Sequence, residues 1–287
     1  MPDTAPTPTL DALLPADMAG KAETIGVNKA KMATVPMLVL AILAGAFIAL
    51  GAVFSTIAGT GASALPYGVG RVLSGLVFCL GLILVVIAGA ELFTGNNLIV
   101  MAWASGKVST AQLLRNWAIV YVGNFIGAFA TAILVFASKQ YLFGNGAVGT
   151  TALNIAKSKV SLDFMQAFAL GVLCNALVCL AVWLVMSART STDKILCIVF
   201  PITAFVAAGF EHSIANMYFV PLGLFIKSFA SPKFWEVAQI AIADYDKLTW
   251  SAFFINNLLP VTLGNIVGGA GLVGMVYWLV YAKPKTK

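Results

Sequence analysis

G-A-E-L-F-T-G-N-N, residues 89–97, and G-F-E-H-S-I-A-N, residues 209–216, each sit inside a long apolar tract of this 287-residue chain. Both fit G-x-E-x4-N, which sets Gly89, Glu91 and Asn96 against Gly209, Glu211 and Asn216. A carboxylate and amides are costly in lipid and mark buried or pathway-lining positions. The surrounding tracts are also too long. Residues 72–104 as one straight helix would reach about 50 Å, against a hydrocarbon core of about 30 Å. Each tract therefore reads as a helix interrupted at its polar stretch, and unwound backbone at that depth must face protein or a cavity.

The next tract repeats as well. Asn116, Val120, Gly123, Asn124 and Gly127 match Asn257, Val261, Gly264, Asn265 and Gly268 as N-x3-V-x2-G-N-x2-G. Two patterns in the same order imply an internal repeat. With three spans per copy, the second copy enters the bilayer upside down, and its interruption faces the first across a central path.

Composition agrees with a bilayer as solvent. Hydrophobic residues make up 60% of the chain and charged ones 10%, where a soluble domain carries roughly 25% charged residues. Charge-free runs place six spans near 35–58, 72–104, 114–138, 164–187, 195–226 and 251–281. The expected fold class is an all-α membrane protein of six transmembrane helices. It comprises two inverted three-helix repeats, about 35–138 and 164–281, with helices 2 and 5 broken. The expected organisation is a segment 1–34 with an amphipathic helix over 10–30, one transmembrane domain 35–283 and a tail 284–287. The first thirty residues hold Asp3, Asp11, Asp17 and Glu23 and lack the apolar core of a signal sequence. Lys and Arg divide ten to seven in favour of the side holding both termini, which places both termini in the cytoplasm. Cys79, Cys174, Cys179 and Cys197 lie in apolar spans without a C-x-x-C pair, so no disulfide framework or metal site is expected. No basic-aromatic platform for nucleic acid is visible.

At the interruptions, Thr94 and Ser213 stand where a half-helix begins, and a hydroxyl there either caps free N–H groups or meets a solute. Glu91 and Glu211 read as struts bonded to the broken backbone, or as lumen charges; the role of Glu91 is the more open. His212, the only histidine, titrates near neutrality in its ordinary state and suits a switch or proton relay. Asn124 and Asn265 read as helix glue, with Asn265 within reach of His212 or the solute if the sixth span borders the break. Lys159 is a solvated loop charge or an attractor of anions over a pore mouth.

The runs E-L-F-T-G-N-N-L-I-V (91–100), G-F-E-H-S-I-A-N-M (209–217), A-S-P-K-F-W (230–235) and L-L-P-V-T-L-G-N-I-V-G-G (258–269) resemble the formate/nitrite transporter family. The likeness spans about Leu10 to Ala282. It implies an aquaporin-like protomer and a homopentamer with one pore in each protomer. It implies formate, nitrite, hydrosulfide and related small monovalent anions as solutes, with no cofactor. By the same likeness Thr94, His212, Glu211, Asn265 and Lys159 are pore residues. Leu82, Leu92 and Phe93 form a cytoplasmic-side constriction, and Phe78, Val178 and Phe205 a periplasmic-side one. The expectation is a transporter of the bacterial inner membrane, not an enzyme, in contact with lipid. Its solute is formate, with nitrite or hydrosulfide as the alternative, and proton coupling through His212 stands beside passive conduction. An aquaporin would show N-P-A at both half-helix starts, and an ammonium channel of the twin-histidine kind would need a second histidine. An intramembrane serine hydrolase is disfavoured because Ser213 adjoins His212 and no G-x-S-x-G occurs.

Overall fold

Gly89 and Gly209 have φ of +86° and +77°, the left-handed conformation that ends helices and that glycine adopts without a side-chain clash. The following N–H folds back five residues in both places, Ala90 to Val85 O at 2.9 Å and Phe210 to Phe205 O at 3.0 Å. Each helix stops there, the chain runs extended for three residues, and a new helix starts at Phe93 or Ser213. Both tracts read as interrupted are interrupted at the polar stretch.

The computed structural model describes residues 11–283, and among these there is no strand. The expected tail 284–287 and the first ten residues of the expected 1–34 segment lie outside the described residues. The helices are α1 (Pro15–Lys31), α2 (Thr34–Gly59), α3 (Tyr67–Gly89), α4 (93–104), α5 (Thr110–Ala137), α6 (Ala147–Val160), α7 (Phe164–Ser187), α8 (Ser191–Ala207), α9 (Ser213–Phe229), α10 (Pro232–Ala238) and α11 (Ala252–Ala282). Polar caps set several starts. Ser109 and Gln112 form a reciprocal box at α5, Thr190 and Asp193 another at α8, and Asp163 caps α7. Among the described residues five helices, α2, α3, α5, α7 and α11, are long and apolar enough to cross a bilayer. The expected span 195–226 is the pair α8 and α9, of 17 residues each. Each is about 26 Å long and short of a full crossing alone. Lys159 belongs to the last turn of α6, so the stretch read as a solvated loop is helical.

The two halves pack alike. In the first, α2 lies on α3 and α5 and α1 lies on α4; in the second, α7 lies on α8 and α11 and α6 lies on α9. The repeat thus includes the surface helix ahead of each first span. Residues 21–49 and 151–179 share the same succession of buried, half-buried and exposed positions. The G-N-x-x-G elements explain the closeness of α2 to α5 and of α7 to α11. A Cβ on Gly127 would lie 1.9 Å from Ile42 O, and one on Gly268 would lie 2.1 Å from Val172 O. Only glycine permits backbone contact of that kind. The α3 and α8 helices, which lead into the two breaks, pack directly on each other.

Candidate functional site

Extended backbone inside an apolar molecule must find hydrogen-bond partners for every N–H and C=O. At the first break Glu91 N–H donates to Leu40 O (3.2 Å), and at the second Glu211 N–H donates to Leu170 O (3.3 Å). Asn124 and Asn265 bind further backbone groups on both sides of each break. Asn124 Oδ1 accepts from Phe93 N–H (2.9 Å), and its Nδ2 donates to Glu91 O (2.9 Å) and Ala41 O (2.8 Å). Asn265 Oδ1 accepts from Ser213 N–H (2.9 Å), and its Nδ2 donates to Glu211 O (3.0 Å) and Gly171 O (2.8 Å). Every hydrogen-bonding hydrogen of each amide is used. Asn265 therefore holds the backbone of the break, and no bond joins it to His212.

The carboxylates are held as struts, though by side chains and not by the backbone donors anticipated. Glu211 Oε1 pairs with Lys159 Nζ at 2.8 Å, and its Oε2 accepts from Asn216 (2.7 Å) and Asn257 (3.0 Å). Glu91 Oε1 pairs with Lys29 Nζ at 2.5 Å, and its Oε2 accepts from Asn96 at 2.7 Å. Asn116 and Asn257 donate to the backbone oxygens of Lys29 and Lys159, at 3.1 and 3.0 Å. Each half thus carries one lysine, one glutamate and three asparagines in closely similar wiring, with one difference: Asn257 also donates to Glu211, whereas Asn116 donates to Met37 Sδ.

The two halves differ at the centre. His212 is buried, and its Nδ1 accepts from Ala215 N–H at 3.1 Å, capping α9. In a neutral imidazole the proton then resides on Nε2, which lies 3.1 Å from Thr94 Oγ1. His212 donates and Thr94 accepts, so the Thr94 hydroxyl hydrogen is left for another acceptor. Neither hydroxyl caps its helix: Thr94 meets His212, and the buried Ser213 Oγ has no hydrogen-bond partner. The starts of α4 and α9, with their partial positive charge, converge on this pair.

A cavity of about 480 Å³ leads to it. Arg71, Phe78, Lys159, Phe205, Glu211 and His212 stand in its wall. Phe78 and Phe205 meet edge to face at 5.6 Å, and Phe205 stacks on His212 at 5.9 Å. Leu82, Leu92 and Val178 are buried. Phe93 packs edge-on against Tyr121 at 4.9 Å and lines an open apolar groove between α5 and α11.

Three neighbours of the site escaped the sequence reading. Asn175, fully buried on α7, donates to Asn97 Oδ1 (2.9 Å), Thr94 O (3.3 Å) and Asn265 O (2.7 Å), joining one break to the other. A lone amide in the apolar run 167–187 was the signal for it. Lys29 was signalled as the counterpart of Lys159, 130 residues away, only once the surface helices are counted into the repeat. Arg71 gave no motif.

The family described as formate/nitrite transporter matches this chain over residues 16–279. The chain belongs to that family. Formate/nitrite transporters of known sequence resemble it along nearly their whole length. The formate channel FocA of Escherichia coli (strain K12) is 46% identical over 273 residues, covering 95% of this chain and 96% of FocA. FocA of Haemophilus influenzae is 42% identical over 264 residues, 92% of this chain and 93% of the relative. Among solved structures, one described as a pentameric formate channel with formate bound superposes with a TM-score of 0.83 at 50% identity. It covers 87% of this chain and 98% of that one. Another, described as an FNT family ion channel, gives 0.79 at 30% identity over 93% and 99%. The chain is a multi-pass α-helical membrane protein and a transporter, not an enzyme.

Proposed function

We propose that this formate/nitrite transporter conducts formate and related small monovalent anions across the bacterial inner membrane, through one pore in each protomer of a homopentamer. In this reading α8 and α9 together make a sixth crossing and both termini lie in the cytoplasm. The observation that carries it is the Thr94–His212 pair at the meeting point of two half-helices, at the end of a cavity whose wall holds cations. The relatives named above support formate as the solute.

The chemistry follows from the bonding. A carboxylate oxygen arriving at Thr94 receives the hydroxyl hydrogen that His212 does not use. The partial positive ends of α4 and α9 stabilise its charge. Passing the apolar constrictions as an anion costs several kcal/mol in lost hydration, and a proton taken up at the central pair would remove much of that cost. His212 can give its Nε2 proton through Thr94 only from a doubly protonated ring, which returns to neutral as formate becomes the acid; a neutral ring would be left an imidazolate. A doubly protonated ring would place a hydrogen on Nδ1 facing Ala215 N–H, so charging His212 requires release of the α9 cap. In this reading proton transfer and a small movement at the start of α9 are one event.

The test is formate uptake into proteoliposomes with a pH-reporting dye inside, for the wild type and His212→Asn. Wild-type uptake should acidify the lumen in step with formate. The variant should keep anion flux and lose the acidification. Unchanged acidification would reject the relay, and wild-type flux no higher than in protein-free vesicles would reject the function. Nitrite, hydrosulfide and chloride in parallel arms rank the solutes.

A further inference from the structure

Two cations stand in the wall of the cavity, and their surroundings differ. Lys159 is paired with Glu211, so the two together add no net charge to the cavity, and His212 is neutral in the hydrogen-bonded form described. Arg71, near the start of α3, has no carboxylate within salt-bridge distance among the described residues. Its guanidinium instead clasps the end of α8, with Nε donating to Ala207 O (3.0 Å) and Nη2 to Val206 O (2.6 Å). Those carbonyls are the negative end of the helix that stops at Gly209. Nη1 makes no hydrogen bond to the protein among the described residues.

We propose that Arg71, and not the Lys159–Glu211 pair, supplies the uncompensated positive charge that concentrates small monovalent anions in this cavity ahead of the central pair. Arg71 acts in two ways at once. It cancels the negative end of α8, which would repel an anion on its way to His212, and it leaves a guanidinium N–H edge as a first docking point. A fixed cation in a narrow low-dielectric mouth raises the local anion concentration, and salt screens the effect. Arg71 is a recruiting and positioning residue. It makes no hydrogen bond to Thr94 or His212 among the described residues.

This inference rests on the anion-transport reading, and the experiment separates the two. Formate influx into oriented proteoliposomes, from the side on which the cavity opens, is measured at about 10 mM and about 1 M ionic strength, where the Debye length is about 30 Å and about 3 Å. Arg71→Gln should lower influx about three- to ten-fold at low salt and leave it near the wild-type value at high salt. Arg71→Lys, which keeps the charge and gives up the two-carbonyl clasp, should restore most of the low-salt influx. Were Arg71 only a brace for α8, Gln and Lys would both lose flux equally at the two salt concentrations, and that result overturns the proposal. No loss in Arg71→Gln overturns it as well. Should Arg71→Gln fail to assemble, Ser74→Asp decides. Ser74 lines the same cavity one helical turn from Arg71, so a carboxylate there neutralises the guanidinium without removing the clasp. It should reproduce the low-salt loss, and wild-type influx in Ser74→Asp counts against the proposal. Absence of formate flux in the wild type would instead sink the transport reading itself.

Discussion

Lys159 and Glu211 form a pair whose side chains are 13% and 6% exposed, so removal of either leaves the other charged and largely dry. Breaking such a pair costs about 3–5 kcal/mol, whereas replacing both members is often close to neutral. Lys159→Met is therefore expected to lower the thermal midpoint of the detergent-purified protein more than the double variant Lys159→Met/Glu211→Gln. A double variant less stable than the single would count against the pairing. The glutamates and the asparagines of the repeat were legible as struts and glue because buried polar groups in apolar text demand partners. Their partners were less legible. Matching hydroxyl to hydroxyl sets Thr94 against Ser213, but the chain equates Phe93 with Ser213, since these two N–H groups are the ones bound by Asn124 and Asn265. The one-residue shift matters: it puts Thr94 in front of His212 and leaves Ser213 Oγ without a hydrogen-bond partner among the described residues.

At the scale of elements, two glycines do different work. At Gly209 the demand is on backbone conformation, φ +77°, and an alanine would cost about 1–2 kcal/mol there. At Gly268 the demand is on space, because a Cβ would lie 2.1 Å from Val172 O, so α7 and α11 must separate. Overpacking of this kind costs about 1–3 kcal/mol, occasionally more, and here it also pulls Asn265 from Gly171. Gly268→Ala should thus lower the thermal midpoint more than Gly209→Ala and reduce formate flux; the reverse order would refute the close-contact argument. Both positions were visible as parts of repeated motifs. The repetition of the surface helices is hidden in the sequence, because α1 and α6 lie outside the apolar tracts that carry the repeated motifs. Lys29 and Lys159 stand outside those tracts, and only their common hydrogen bonding to the two breaks reveals them as equivalents.

For the whole molecule, the equivalence of α1 and α6 sharpens a contrast in how they are held. Glu23 on α1 is buried and bonded to Ser105 and Lys107, and Trp278 on α11 also donates to Ser105 at 2.8 Å. The equivalent position on α6 is Leu153, fully buried. At this position one helix is latched by polar contacts and the other by apolar packing. Glu23→Ala should accelerate hydrogen–deuterium exchange across residues 15–31 and leave residues 147–160 unchanged. Equal protection of both helices in the variant would show that the latch has no hold. The lengths of the two halves carry a last consequence. Ala41 to Glu91 is a step of 50 residues and Gly171 to Glu211 one of 40, whereas Glu91 to Asn116 takes 25 and Glu211 to Asn257 takes 46. The first surplus includes the turn around residues 60–66, which helps wall the cavity, and the second includes α10 with the stretch after it, which packs on α6. Both additions crowd the same face. A duplicated gene without them would encode an object with interchangeable ends; with them, the molecule has a front and a back, and solute arriving from either direction meets different architecture before the same midpoint.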